Sequence, residues 1–205
     1  MEERILLVDS DVFILFAAAG VLERVAELLG FRLRDVRRLP ALPQQLQRSR
    51  AFRQRYPEHA RLAGSDWCGR IAPLKHRPAL DAVAKKLMML NDIDSGEAEM
   101  LSHVAESPFY YLASGDKRSM IALATAPELA DIRAAVAGRI ICLEAVLALL
   151  IRADGPEPVT AAFTPLRTCH KSLTIFFSET DCLDAVQDYL DNLVKQTGEG
   201  FLMIP

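Results

Sequence analysis

The residues in this chain best suited to chemistry are carboxylates placed at the ends of apolar runs. Asp9 closes the run at 4–9 (RILLVD), and Asp116 follows the run at 109–113 (FYYLA) after Ser114 and Gly115. Between them, the segment 91–99 sets Asp92, Asp94, Glu97 and Glu99 at the predicted start of a helix, with Ser95 or Asp94 as its N-cap. Ligands of open α/β sheets bind beyond the carboxyl ends of the strands, so acids that close strand runs stand where chemistry is expected. Three carboxylates at one sheet edge make a hard-oxygen site for Mg²⁺ or Mn²⁺, which can hold a phosphate and lower the pKa of a bound water. A purely structural role competes with this. Acids in a first helical turn complement the helix dipole, which accounts for Glu97 and Glu99, and Asp9 can cap a helix over 11–18.

Bringing these acids together requires strands that alternate with helices. The runs at 4–9, 109–113 and 139–143 (RIICL) are continuously apolar, as in strands buried on both faces of a parallel sheet. Apolar spacing turns helical over 21–29, 79–90, 96–106, 128–136 and 144–151. The pattern predicts an α/β fold in which a parallel sheet is sandwiched by helices. At 152–158 (RADGPEP) a glycine and two prolines interrupt the pattern and read as a linker. Beyond it, 166–177 is helical in spacing, and Ser178 with Asp181 can cap a last helix whose stripe is Leu183, Val186, Leu190, Leu193 and Val194, stopping near Gly198. The expected division is an α/β domain over 1–152 and a helical extension over 153–205 packed on it.

The succession ILLVDSDVFI, DIDSGEAEML, YYLASGDKRSMIAL and GRIICLEAVLALL resembles a PIN-domain nuclease, the fold of VapC-type toxins and, more distantly, of 5′-flap nucleases. The resemblance covers residues 4–152. It implies that Asp9, Glu97 and Asp116 are catalytic and that Asp9, Glu97, Glu99 and Asp116 hold Mg²⁺ or Mn²⁺, Glu99 being the neighbour or substitute of Glu97. Ser114 matches the small hydroxyl residue that precedes the last aspartate by two. The implied activity is hydrolysis of phosphodiesters, most often in RNA.

One position departs from the family pattern. Many PIN proteins supply a further acid from a helix after the second strand, and the matching region at 39–46 (LPALPQQL) has Gln44 and Gln45 instead. Glutamine is a poor substitute for a charged ligand, so a nucleic-acid or protein-binding module without turnover is an alternative, with Glu58 or Asp66 as candidate replacements for the missing acid. A further alternative is a haloacid-dehalogenase-like phosphatase with Asp9 as nucleophile and Asp11 as acid/base. That reading leaves the GEAE segment unexplained and lacks a downstream acid after Asp116.

The 205 residues carry a net charge of −3, which hides an uneven distribution. Between Arg32 and Arg77 lie 12 basic residues, 11 of them Arg, against Asp35, Glu58 and Asp66, so that segment is +9 and the remainder −12. Guanidinium groups suit phosphate, and Arg48, Arg50, Arg53 and Arg55 here, with Lys117 and Arg118 beside Asp116, are candidate substrate contacts. Ion pairing within the protein is the plainer use of such a segment. The stretch 48–59 reads as a loop or an exposed helix. Trp67 in a glycine-flanked loop is a candidate base-stacking residue or a loop anchor. His59, His76, His103 and His170 form no recognisable constellation. The four cysteines show neither a CxxC pair nor zinc-ligand spacing. The N-terminus lacks signal-peptide features and no apolar stretch approaches the roughly 20 residues of a membrane span, so a cytoplasmic protein is expected. Expected partners are nucleic acid, RNA foremost, with a homodimer contact or an antitoxin-like protein as candidates for the helical tail.

Overall fold

A computed structural model describes residues 4–177 and 182–205. The chain runs β1 (Ile5–Val8), α1 (Ser10–Ala18), α2 (Leu22–Leu28), β2 (Val36–Arg38), α3 (Leu42–Arg48), α4 (Arg50–Arg55), α5 (Glu58–Arg70), α6 (Asp81–Leu87), α7 (Ser95–Glu106), β3 (Tyr110–Ser114), α8 (Lys117–Thr125), α9 (Ala130–Val136), β4 (Ile140–Cys142), α10 (Leu143–Asp154), α11 (Pro156–Phe163), α12 (Lys171–Phe176) and α13 (Cys182–Thr197). The strands form one parallel sheet in the order β2-β1-β3-β4, with Leu6 beside both Val36 and Tyr111, and Ala113 beside Ile141. Helices cover both faces, and for that reason Leu6, Leu7, Val8, Leu112, Ala113, Ile140 and Ile141 are all buried. The architecture is thus α/β, a parallel sheet flanked by helices.

The strands β1 and β4 fall inside two of the apolar runs, and β3 starts inside the third and runs one residue past it to Ser114. β2 does not announce itself, because two of its three residues are arginines. Arg38 is 8% exposed, and its two terminal nitrogens donate to the carbonyls of Leu39 (3.1 Å) and Cys68 (2.9 Å), while Nε has no partner among the described residues. Capturing backbone acceptors is what allows a permanent charge to be buried in a strand. Both sheet edges are continued by short segments: Pro73 bridges Arg38, and Leu202 bridges Ile140, with the Met203 N–H donating to the Ile140 carbonyl at 2.8 Å.

The stretch 152–158, read above as a linker, is a helix junction instead. α10 ends at Asp154, Gly155 takes φ +89, and α11 begins at once with Pro156 in its first turn. A left-handed glycine ends one helix and a proline whose missing N–H costs nothing starts the next, so no connecting segment intervenes. The C-terminal helices join the core through rings. Phe163 meets Phe16 of α1 edge-on at 6.5 Å and stacks on Phe177 at 5.8 Å, while Phe176 meets Tyr189 at 5.5 Å. On α13, Val186, Leu190 and Leu193 are buried and Gly198 stops the helix with φ +90. The expected cap by Ser178 and Asp181 lies outside the described residues. The stretch 48–59 is mostly helical: Arg48 ends α3, Arg50–Arg55 form α4 and Glu58 opens α5. Trp67 lies on α5 and not in a loop. It packs partly buried against the core, with the Arg70 guanidinium 3.8 Å from its ring centre. Among the described residues no helix is long and apolar enough to cross a membrane.

Candidate active site

Three strand-to-helix and loop-to-helix junctions meet at the carboxyl edge of the sheet. β1 passes into α1 through Asp9, whose Oδ1 accepts from the Ser10 N–H at 2.6 Å. Asp94 caps α7 with a reciprocal capping box: Asp94 Oδ1 accepts from the Glu97 N–H (2.8 Å) and Glu97 Oε2 from the Asp94 N–H (3.0 Å). β3 passes through Ser114 and Gly115 to Asp116, whose Oδ1 accepts from the N–H groups of Arg118 (2.8 Å) and Ser119 (3.3 Å) at the start of α8. Two glycines permit this convergence. A Cβ on Gly96 would stand 2.8 Å from Leu39 Cδ1, and one on Gly115 would stand 3.1 Å from His170 Nε2.

The result is a cavity of about 450 Å³ lined by Asp9, Asp11, Asp94, Glu97, Glu99 and Asp116. Leu39, Gln45, Phe52 and Arg55 close its other side. All four acids singled out from the sequence as metal ligands therefore line one cavity. Crowding shows in their proton affinities. Burial, then Asp11 and Glu97, raise the Asp9 carboxyl well above its usual range. Burial, then Asp116 and Asp94, push Glu97 up to about 7 against the opposing backbone N–H of Asp94. Like charges confined together hold protons or attract cations.

The donor chemistry fits a hard divalent ion, since every candidate ligand atom is a carboxylate oxygen. The side chains stop short of a closed cage. Among the described residues no group of three or more His, Cys, Asp or Glu is gathered so as to hold an ion. One oxygen each of Asp9, Glu97 and Asp116 is committed to a backbone N–H, as given above. Mg²⁺ commonly uses one or two carboxylates and completes its shell with water and substrate phosphate, which is compatible with this arrangement.

The cationic candidates separate into those at the cavity and those away from it. Arg55 lines it, forming an ion pair with Asp11 and donating from Nε to the Cys169 carbonyl at 2.9 Å. Asp11 also accepts from the Tyr56 hydroxyl at 2.6 Å. Arg48, Arg50 and Arg53 are exposed on α3 and α4, and Arg118 is exposed with its guanidinium 3.3 Å from Asp116 Oδ2. Lys117 turns away from the cavity. Its ammonium lies 2.8 Å from Glu144 Oε1, 2.8 Å from Ser172 Oγ and 3.7 Å above the Tyr189 ring. Ser114 is buried too, and its Oγ accepts from the Asp116 N–H at 3.2 Å. Ser114 thus positions Asp116, and neither its side chain nor that of Lys117 lines the cavity. Glu58 and Asp66, the candidate replacements for the missing acid, do not line it either. Gln45 does, and its Oε1 is buried without a hydrogen-bond partner among the described residues.

Residues 169–172 of the C-terminal block brace both walls. The Cys169 carbonyl holds Arg55, His170 packs on Gly115, and Ser172 holds Lys117. Glu144, Ser172 and Tyr56 were not identified from sequence, because their partners are distant along the chain and no local spacing marks them. Comparisons of the chain with family models, with curated proteins and with solved structures find no match.

Proposed function

We propose that the protein is a divalent-cation-dependent nuclease of the PIN type that hydrolyses phosphodiester bonds, with RNA the favoured substrate. One observation carries this reading: Asp9, Glu97 and Asp116, from three separated segments, line a single cavity at the carboxyl edge of a parallel sheet. Asp9, Glu97 and Asp116 would hold Mg²⁺ or Mn²⁺, with Glu99 beside them. When bound, the ion would lower the pKa of a water and hold a phosphate oxygen. Arg55, engaged by Asp11 and the Cys169 carbonyl, would offer its remaining N–H donors to the phosphate, and Arg48, Arg50 and Arg53 would offer charge to the flanking backbone. Ser114, Lys117 and the 169–172 segment act through position alone. The test is a screen of labelled single- and double-stranded RNA and DNA with Mg²⁺ and Mn²⁺, beside the Asp9→Asn protein. Cleavage that disappears in Asp9→Asn and Asp116→Asn supports the reading, and no cleavage of any substrate overturns it.

A second reading, binding of nucleic acid without turnover, is favoured by Gln45 standing in the cavity in place of an acid. Binding that persists in both aspartate variants, with no cleavage by the unsubstituted chain, would select it. The phosphatase alternative loses ground because the two oxygens of Asp11 are taken by Arg55 and Tyr56.

A further inference from the structure

Beside the main cavity, between α6 and α7, lies a smaller one of about 170 Å³. Ser95 and Glu99 line both, so a single helical turn separates them. His103 lines the smaller cavity at 2% exposure, its ring 5.5 Å from that of Tyr110. Its Nδ1 is buried with no hydrogen-bond partner among the described residues. A buried polar atom left unpaired costs roughly 1–3 kcal/mol unless a partner arrives. Leu80 and Ala84 supply an apolar side, and Asp81 and Glu99 supply acceptors. His76 stands at the mouth, 61% exposed, with Nε2 3.6 Å from Asp81 and Nδ1 3.7 Å from Glu99. Lys75 and Arg77 are exposed next to it.

We propose that this cavity is a nucleobase subsite that takes a base bearing an exocyclic amine from the nucleotide next to the phosphate in the main cavity. The inference rests on the nuclease reading for its neighbour but not for its own chemistry. The volume is below the roughly 300–1,000 Å³ of pockets for whole small molecules, which suits one ring system with the sugar and phosphate left outside. Carboxylates accept from base amines, an exposed imidazole can stack on a base face, and lysine or arginine at the rim meets the flanking phosphate. His103 is neutral at working pH, its pKa lowered to about 4 by burial, Arg77 and His76. A neutral imidazole offers both a donor and an acceptor. Uracil carries no exocyclic amine and gives Asp81 and Glu99 less to bind.

The test titrates the full chain, without divalent ions, with cytidine, adenosine, guanosine and uridine, following the imidazole resonances by NMR. At least one amine-bearing nucleoside should bind saturably, about tenfold or more tightly than uridine. His103→Phe should abolish that binding, and Asp81→Asn, at an exposed rim position that leaves folding intact, should weaken the preference for amines. Absence of saturable binding by every nucleoside, or binding that is unchanged in both His103→Phe and Asp81→Asn, overturns the subsite. Nucleoside binding without nuclease activity would leave the subsite and remove its catalytic neighbour. Cleavage without nucleoside binding would do the reverse.

Discussion

Replacing Glu97 with glutamine removes a charge that the fold holds at a cost, and the cost can be worked from where the carboxyl sits. Glu97 is 7% exposed and feels Asp116 and Asp94, and its pKa moves from an ordinary 4.5 to about 7. A change of that size favours the protonated form by about 3 kcal/mol. Below pH 4.5 the carboxyl is protonated in folded and unfolded chains alike and its charge costs nothing. Between pH 4.5 and about 7 the folded chain keeps a proton that the unfolded chain has lost, so stability falls as pH rises. Above about 7 the full loss of about 3 kcal/mol is in place. Glutamine keeps the shape and can still accept the Asp94 N–H. Glu97→Gln should therefore stabilise the protein at pH 8 by about 3 kcal/mol, a rise in Tm of about 6–12 °C for a chain of this length, and change little at pH 4. Urea unfolding at pH 4, 6 and 8 measures the difference. A variant that is neutral or destabilised at pH 8, or equally stabilised at pH 4 and pH 8, would refute the electrostatic account of the cavity. Under the nuclease reading the same variant loses Mn²⁺-induced stabilisation at pH 8 together with cleavage, so that it trades function for stability.

Three other substitutions probe separate parts of the molecule. Lys117→Met strands the fully buried Glu144 without its cation and should cost about 3–5 kcal/mol in urea unfolding; the apolar pair Lys117→Met with Glu144→Leu should recover most of it, and a loss below about 1 kcal/mol would show the pair to be unimportant. Gln45→Glu puts a carboxylate into the cavity and should lower the Kd for Mn²⁺ about tenfold or more by calorimetry; unchanged affinity would place Gln45 outside the ion's reach. Arg55→Ala should weaken binding of single-stranded RNA and flatten its salt dependence by about one counterion, and Arg55→Lys should rescue only in part, since the fork held by the Cys169 carbonyl is lost. Equal RNA binding by Arg55→Ala and the unsubstituted chain would remove Arg55 from the interface.

The sheet was legible where physics leaves a local mark. A parallel strand covered on both faces must be apolar throughout and must end in something polar, and β1 with Asp9 and β3 with Ser114, Gly115 and Asp116 satisfy this within a few residues. The capping box of Asp94 and Glu97 is local as well, and the pattern of acids after Ile93 suggests it. β2 was not legible, because its burial depends on backbone carbonyls of Leu39 and Cys68 receiving the Arg38 guanidinium. The far wall of the cavity was hidden for a similar reason. Gln45, Phe52 and Arg55 reach the acids only because α5 packs against α1 and α3 packs against α5, contacts that no spacing within 42–55 encodes. Lys117 shows the opposite failure. Its position beside Asp116 suggested a phosphate contact, whereas a buried Glu144 and Ser172, contributed by later helices, draw it inward.

The charge division of the chain takes on a specific form at the cavity. Much of the positive segment is engaged within the fold: Arg32 pairs with Asp35 at 2.6 Å, Arg38 is buried on carbonyls, and Arg70 covers Trp67. Among the described residues that line the cavity, Arg55 is the single cation, set against Asp9, Asp11, Asp94, Glu97, Glu99 and Asp116, and it is already paired with Asp11. A phosphodiester approaching this surface meets like charge, so it can enter only if protons or cations first neutralise the carboxylates. Protons do part of this, since Asp9 and Glu97 are both raised, but a protonated carboxyl cannot draw in a phosphate. A divalent ion would reverse the sign at the point where the acids crowd, which would give the proposed metal dependence a physical basis that does not lean on family resemblance. In the proposed nuclease the exposed Arg48, Arg50 and Arg53, on helices adjoining the cavity wall, would then act on the parts of the polyanion that remain outside.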